Sequence, residues 1–229
     1  MPKIAIVKFP GTNCDEDVRH VLVDVFGLEA EIVWYKEFAV KQWDAVILPG
    51  GFSYGDWLRA GAIAARTHAV EELAEARYLG IPLLGICNGF QILVEVGLLP
   101  GALLYNDSGR FVCRWIRTVV ERPRGPWLAL ARDGQELDMP IAHAEGRYYI
   151  DEESYNSLLL NAPVLRYLNG FNPNGSVHDI AGVGTEDGVV FGLMPHPERA
   201  SEELLAPKMF SPGGKVIFES ISYSLKRGW

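Results

Sequence analysis

The chain has 229 residues, 21 basic against 29 acidic side chains for a formal net charge of −8, 48% hydrophobic residues and 3 cysteines. That apolar content excludes a disordered chain, and no apolar run approaches the roughly 20 residues of a membrane span. The acidic balance argues against a nucleic-acid or anionic-lipid surface, and an odd, irregularly spaced set of cysteines argues against a secreted disulfide scaffold.

Lys3–Lys8 is a short apolar, β-branched run that predicts a buried strand. It is too short for a signal-peptide core and Pro10 follows at once, so a cytoplasmic location is expected. Asn13 and Asp15 stand where helix caps stand; Val18, Val21, Leu22 and Val25 follow at helical spacing, and Gly27 ends the run. Segments 31–35 and 44–48 predict the second and third strands, the third ended by Pro49-Gly50-Gly51. Segment 55–79 is Ala-rich and predicts helix, in one piece or two. Segment 81–86 predicts the fourth strand, with a helix over 88–96 that Gly97 stops. This βαβ rhythm predicts an α/β fold: a three-layer open sheet, mostly parallel, with a flavodoxin-like core. After Pro100, segments 110–121 and 136–150 predict antiparallel strands, and 183–193 a hairpin about Glu186-Asp187-Gly188. A last helix is expected over 214–226. No linker-like tract interrupts the chain, so one domain over 1–229 with an antiparallel extension is expected.

Three segments carry chemistry. In Gly85-Ile86-Cys87-Asn88-Gly89-Phe90-Gln91 a buried strand runs into a helix with one cysteine at the junction. Flanking glycines permit a sharp turn that pushes the apex side chain out of the sheet. Unpaired N–H groups and the dipole at a helix N-terminus favour a thiolate there, and the Asn88 N–H is then placed to donate to an oxyanion. On this segment alone, Cys87 is either that nucleophile or a small buried hydrophobe. A nucleophile needs a base, and the base an orienting group. In Met194-Pro195-His196-Pro197-Glu198 the second proline biases His196 toward extended backbone, where residues two apart share a side. Glu198 would then fix the imidazole tautomer; the alternative is a Pro-rich turn with a surface histidine. Pro49-Gly50-Gly51-Phe52-Ser53-Tyr54-Gly55-Asp56 lies beyond a strand's carboxyl end, where open α/β sheets bind ligands. Gly51 and Phe52 would offer backbone N–H groups to the same oxyanion, or the loop is a glycine turn without a ligand. No Lys-Ser/Thr follows at phosphate-loop spacing.

Together these residues resemble the class I (triad) glutamine amidotransferases, whose usual elbow, Gly-x-Cys-x-Gly-x-Gln, is kept here at every fixed position. Most members carry a Gly-Pro-Gly type oxyanion strand; this chain has Gly-Gly-Phe-Ser-Tyr-Gly-Asp instead. That departure, with Phe9-Pro10-Gly11-Thr12-Asn13-Cys14-Asp15, His143-Ala144-Glu145-Gly146 and Asn172-Pro173-Asn174-Gly175-Ser176, is similar to the glutaminase components of formylglycinamide ribonucleotide amidotransferase, also called phosphoribosylformylglycinamidine synthase. The resemblance covers residues 3 to 227. It implies that Cys87 attacks the side-chain amide of L-glutamine, that the oxyanion is held near Gly51 and Asn88, that His196 moves the protons and Glu198 orients it, and that Gln91 shapes the glutamine pocket. It further implies that ammonia passes to a synthetase subunit, which holds ATP and Mg and works with a small bridging subunit.

No cofactor and no metal are expected on this chain, since His20, His68 and His178 lack ligand spacing. His143 and Glu145 line the pocket, face a partner, or belong to a satisfied polar loop. Cys14 is expected to be structural and Cys113 to lie in the core. Three other readings stay open: a member of the fold-related protease and chaperone-like superfamily, an amidotransferase subunit serving a different acceptor, and a flavodoxin-like binding module with an inert cysteine. The first of these often places a histidine directly after the cysteine, where this chain has Asn88.

Overall fold

The computed structural model of the chain describes residues 2–168 and 170–228. Its strands are β1 (Lys3–Lys8), β2 (Glu29–Trp34), β3 (Ala45–Leu48), β4 (Leu83–Ile86), β5 (Ala102–Leu104), β6 (Val112–Glu121), β7 (Glu136–His143), β8 (Arg147–Tyr149), β9 (Val164–Tyr167), β10 (Ile180–Gly184) and β11 (Val190–Leu193). Its α-helices are α1 (Asp15–His20), α2 (Ala69–Leu79), α3 (Asn88–Glu95), the single turn α4 (Glu152–Ser154) and α5 (Lys215–Arg227).

Nine strands form one sheet in the order β2-β1-β3-β4-β11-β10-β9-β6-β7, while β5 and β8 pair separately. From β2 to β11 every pairing is parallel; from β11 to β7 every pairing is antiparallel. Burial follows that division. All residues of β3, β4 and β11 are buried, as strands covered on both faces require. The second half of β6 instead alternates buried and half-buried residues with period two, one face on the core. Helix α3 packs on β3, β4 and β11, and α1 on β1 and β2. The expected α/β architecture with an antiparallel extension is therefore the observed one. Because β11 runs parallel to β4, the segments after β1, β3, β4 and β11 all emerge at one edge, where such sheets bind ligands.

Several local expectations were wrong. Neither Asn13 nor Asp15 caps α1: the cap position is Cys14, and no side chain bonds to the helix start. Helix α1 instead continues as one π-helical stretch, Val21–Val25, before Gly27 turns the chain. The Ala-rich stretch 55–79 is helical only from Ala69 apart from short 3-10 turns. Tyr54, Gly55, Asp56, Leu58 and Gly61 all have φ between +52° and +81°, a left-handed region that no α-helix contains. Strands β5 and β9 fall in segments where no strand was expected. Cys113 is exposed on β6, not in the core.

Candidate active site

The elbow is built from close packing. Cys87 itself has φ +50° and ψ −105°, an arrangement that costs a non-glycine residue on the order of 1–3 kcal/mol and that surrounding structure must enforce. The glycines flanking it are not at positive φ; they are needed for space. A Cβ on Gly85 would lie 2.7 Å from the backbone of Gly89, and one on Gly89 would lie 1.9 Å from the Leu48 carbonyl oxygen. The helix thus sits directly against β3 and β4, which forces the turn onto Cys87. The Cys87 N–H bonds the Leu193 carbonyl at 2.8 Å, and its carbonyl accepts from Gln91 N–H at 3.1 Å. Its thiol is buried and faces the Ala142 carbonyl at 3.7 Å.

His196 follows β11, with its N–H bonded to the Pro140 carbonyl at 2.9 Å. Its backbone is extended, as expected, but Pro197 then opens a 3-10 turn that carries Glu198. The turn, not strand alternation, brings the two side chains together. His196 Nδ1–H donates to Glu198 Oε1 at 2.6 Å, and both side chains are almost wholly buried. Carboxylate oxygens only accept, so Nδ1 carries a proton, while the buried Nε2 has no hydrogen-bond partner among the described residues. Burial pushes the imidazole pKa down, but the Glu198 charge, with Cys87 and Cys14 behind it, holds it well above 6.5.

Cys14 is the contact the sequence did not reveal. Its thiol lies 3.9 Å from His196 Nδ1, and accepts from the Arg199 guanidinium at 3.3 Å. Burial pushes its pKa up, opposed by the contact with His196. The ligand-type atoms of Cys14, His196 and Glu198 lie within 4.8 Å of one another, the one such group among the described residues. The 2.6 Å separation of His196 Nδ1 and Glu198 Oε1 is that of a hydrogen bond, not of two ligands flanking an ion. A Cβ at Gly50 would sit 2.7 Å from His196 Cε1 and 3.0 Å from the Cys14 sulfur, so only glycine lets the loop after β3 pass the imidazole.

That loop is braced by the segment after β1. Thr12 and Gly51 form an isolated antiparallel bridge, and Tyr54 N–H bonds the Pro10 carbonyl at 2.6 Å. Gly51 has φ +149°, and its Cβ would strike Thr12 and Asn13. The Phe52 N–H, expected to face the oxyanion, instead donates to the Gly11 carbonyl at 2.9 Å. The N–H groups of Gly51 and Asn88 have no partner among the described residues. Asn88 ties the loop to the elbow: its Oδ1 accepts from Ser53 N–H at 3.1 Å and its Nδ2 donates to Gln91 Oε1 at 3.0 Å.

Gly51, Phe52, Asp56, Cys87, Gln91 and the stretch 142–145 enclose a cavity of about 30 Å³, room for about one water. His143 and Glu145 thus line the same cavity as Cys87. Gln91 Nε2 donates to the Glu145 carbonyl at 2.6 Å. Burial and the Glu145 charge raise the Asp56 carboxyl to about 6. A second residue missed from the sequence, buried Asn106, holds this wall through the carbonyl of His143 and the N–H of Gly146. Asn174, fully buried, braces it from behind through the Gly146 carbonyl at 2.8 Å.

A strained cysteine at a strand-to-helix elbow, a buried His–carboxylate pair and two unpaired N–H groups are the parts of acyl transfer through a thioester. Residues 1–219 match the CobB/CobQ-like glutamine amidotransferase domain. The chain belongs to this glutamine amidotransferase family. It is 48% identical over 228 residues to phosphoribosylformylglycinamidine synthase subunit PurQ of Methanosarcina mazei, covering 96% of this chain and 97% of that protein. To the PurQ subunit of Methanosarcina barkeri it is 49% identical over 227 residues, 96% of each chain. A chain in the structure of PurLQS from Thermotoga maritima superposes with a TM-score of 0.86 at 46% identity, covering 98% of this chain and 99% of that one. A glutamine amidotransferase from Thermotoga maritima, 16% identical with a TM-score of 0.55, shares the amidotransferase fold.

Proposed function

We infer that this amidotransferase is the glutaminase subunit of a phosphoribosylformylglycinamidine synthase, supplying ammonia to a synthetase subunit in purine biosynthesis. The observation that carries the reading is near-half identity to PurQ subunits along almost the whole of both chains. The site geometry supports a chemical course for it. His196 Nε2 takes the Cys87 thiol proton, and sulfur attacks the glutamine carboxamide carbon. The oxyanion is held by the N–H groups of Asn88 and Gly51. His196 returns the proton to the nitrogen, the C–N bond breaks, and ammonia leaves a γ-glutamyl thioester. Water, deprotonated by His196, then releases glutamate. Glu198 keeps the imidazole in the tautomer both steps need, and Gln91 shapes the pocket around the substrate. We propose one glutaminase domain over the whole chain, since a single sheet takes strands from both of its halves.

The same reading assigns ATP and Mg to the synthetase, with a small bridging subunit completing the complex in the cytoplasm; no helix among the described residues is long and apolar enough to cross a membrane. Two features support activation by that partner. The Phe52 N–H is spent on Gly11, and the cavity is too small for a glutamine side chain. Trp57 and Leu58, beside this loop, are 75% and 87% exposed, apolar surface of the kind partners cover. Adding the synthetase should therefore raise the steady-state glutaminase rate by at least about 10-fold, as restoration of an oxyanion donor would. Glutamate release measured with and without the synthetase checks this. Equal rates would contradict partner activation, and failure of the mixture to make the amidine from glutamine would contradict the assigned function.

A further inference from the structure

We propose that His143 reads the carboxamide of the substrate: its Nε2 accepts a hydrogen bond from the amide N–H of glutamine and then from the departing ammonia. The inference rests on the glutaminase reading and adds a residue to it.

The tautomer of His143 follows from its neighbours. Asn106 Nδ2 donates to the carbonyls of Arg110 and His143, both at 2.9 Å. Asn106 Oδ1 accepts from Gly146 N–H at 3.1 Å. Two carbonyls on one side and an N–H on the other fix which way this amide points. The atom 3.1 Å from His143 Nδ1 is therefore an acceptor, and Nδ1 carries the proton. The ring is neutral, because burial, with the His196 charge behind it, pushes its pKa down to about 4. A neutral imidazole protonated on Nδ1 has a bare lone pair on Nε2. That atom is buried and has no hydrogen-bond partner, in a ring that lines the cavity beside Cys87 and Gln91. Buried polar atoms are almost always paired, so an unpaired acceptor on a residue that lines the nucleophile's cavity calls for a donor, which the substrate can bring.

Glutamine brings two nitrogen groups. Once the cavity opens to admit the substrate, its α-ammonium is matched by the carboxylates of Asp56 and Glu145 that line it. The carboxamide must lie at Cys87, which leaves its N–H for His143. His143 takes no proton: the C–N bond breaks as His196 protonates the nitrogen, and His143 only accepts a hydrogen bond from it. The product explains the value of the arrangement. The γ-carboxylate of glutamate has acceptors alone, so it meets the Nε2 lone pair with no donor and is weakly held.

The test uses two substrates and two variants of the full chain, assayed with its synthetase subunit present. Glutamate γ-methyl ester undergoes the same acyl transfer without an N–H on the reacting group. His143→Asn keeps a donor toward Asn106 and deletes the Nε2 acceptor; His143→Gln places an amide oxygen near the position of Nε2. His143→Asn is expected to lower kcat/KM for glutamine by about 30-fold or more and for the ester by less than about 3-fold, with His143→Gln recovering most of the glutamine rate. Equal losses on both substrates, or no loss on glutamine, would overturn the proposal. Wild-type turnover of neither substrate would overturn the glutaminase reading and this proposal with it.

Discussion

A Cys87→Ala variant assembled with the synthetase is expected to lose glutamine-dependent product formation by on the order of 10⁵-fold or more, while ammonia-dependent formation stays near wild type. The first part follows from the elbow. Among the described residues no other cysteine lines the cavity: Cys14 lies behind the imidazole, 3.9 Å from Nδ1, and Cys113 is out on β6. The second part follows from the division of labour, since the variant removes only the ammonia supply. Replacing sulfur by hydrogen adds no volume to the tight packing around β4 and α3, so the fold should persist. Product assays with glutamine and with ammonium salt, on the same preparation, check both parts. Loss of the ammonia-dependent rate would place part of the synthetase chemistry on this chain.

Glu198→Gln is expected to lower the glutaminase kcat by about 10³–10⁴-fold, as loss of the tautomer-fixing carboxylate does in other triads. With an amide facing Nδ1, the imidazole can move its proton to Nε2, where it cannot accept from the Cys87 thiol. The substitution keeps the volume of a fully buried side chain, so gross unfolding does not explain such a loss. Stability gives a second readout. The folded pKa of His196 lies well above its unfolded value near 6.5, so its contribution is fully present below pH 6.5 and is lost as pH rises through the folded value. The gap in unfolding free energy between wild type and Glu198→Gln should therefore be widest at acidic pH and narrow as pH rises. Denaturant titrations across that range measure it, and a gap independent of pH would contradict the proposed pairing.

Much of this site was legible in the sequence because its information is local. A buried strand, a cysteine and glycines two residues to either side specify the elbow within seven residues, and His196 and Glu198 are separated by one proline. The glycines were legible for the wrong reason: they admit close helix–strand contact, while the strained backbone belongs to Cys87. What was not legible depends on distant partners. Cys14 and His196 are 182 positions apart, so no spacing rule links them. Asn106 looks like any loop asparagine until β7 and the 144–146 turn fold over it. The Ala-rich stretch after Gly55 has helical composition, yet five left-handed residues between 54 and 61 break it, and of the two glycines among them only Gly61 packs against the α3 backbone. The short strands β5 and β9 have three and four residues, too few for an alternation pattern to stand out.

The central claim is that Cys87 is a glutamine-directed nucleophile. It is tested most directly by peptide mapping with mass spectrometry after incubation with a glutamine analogue bearing an electrophile at the carboxamide position. The expected result is a single adduct on Cys87, suppressed by excess glutamine and absent from Cys87→Ala, with Cys14 and the exposed Cys113 unmodified. Modification of Cys14 or Cys113 in its place, or no adduct on Cys87, would contradict the mechanism.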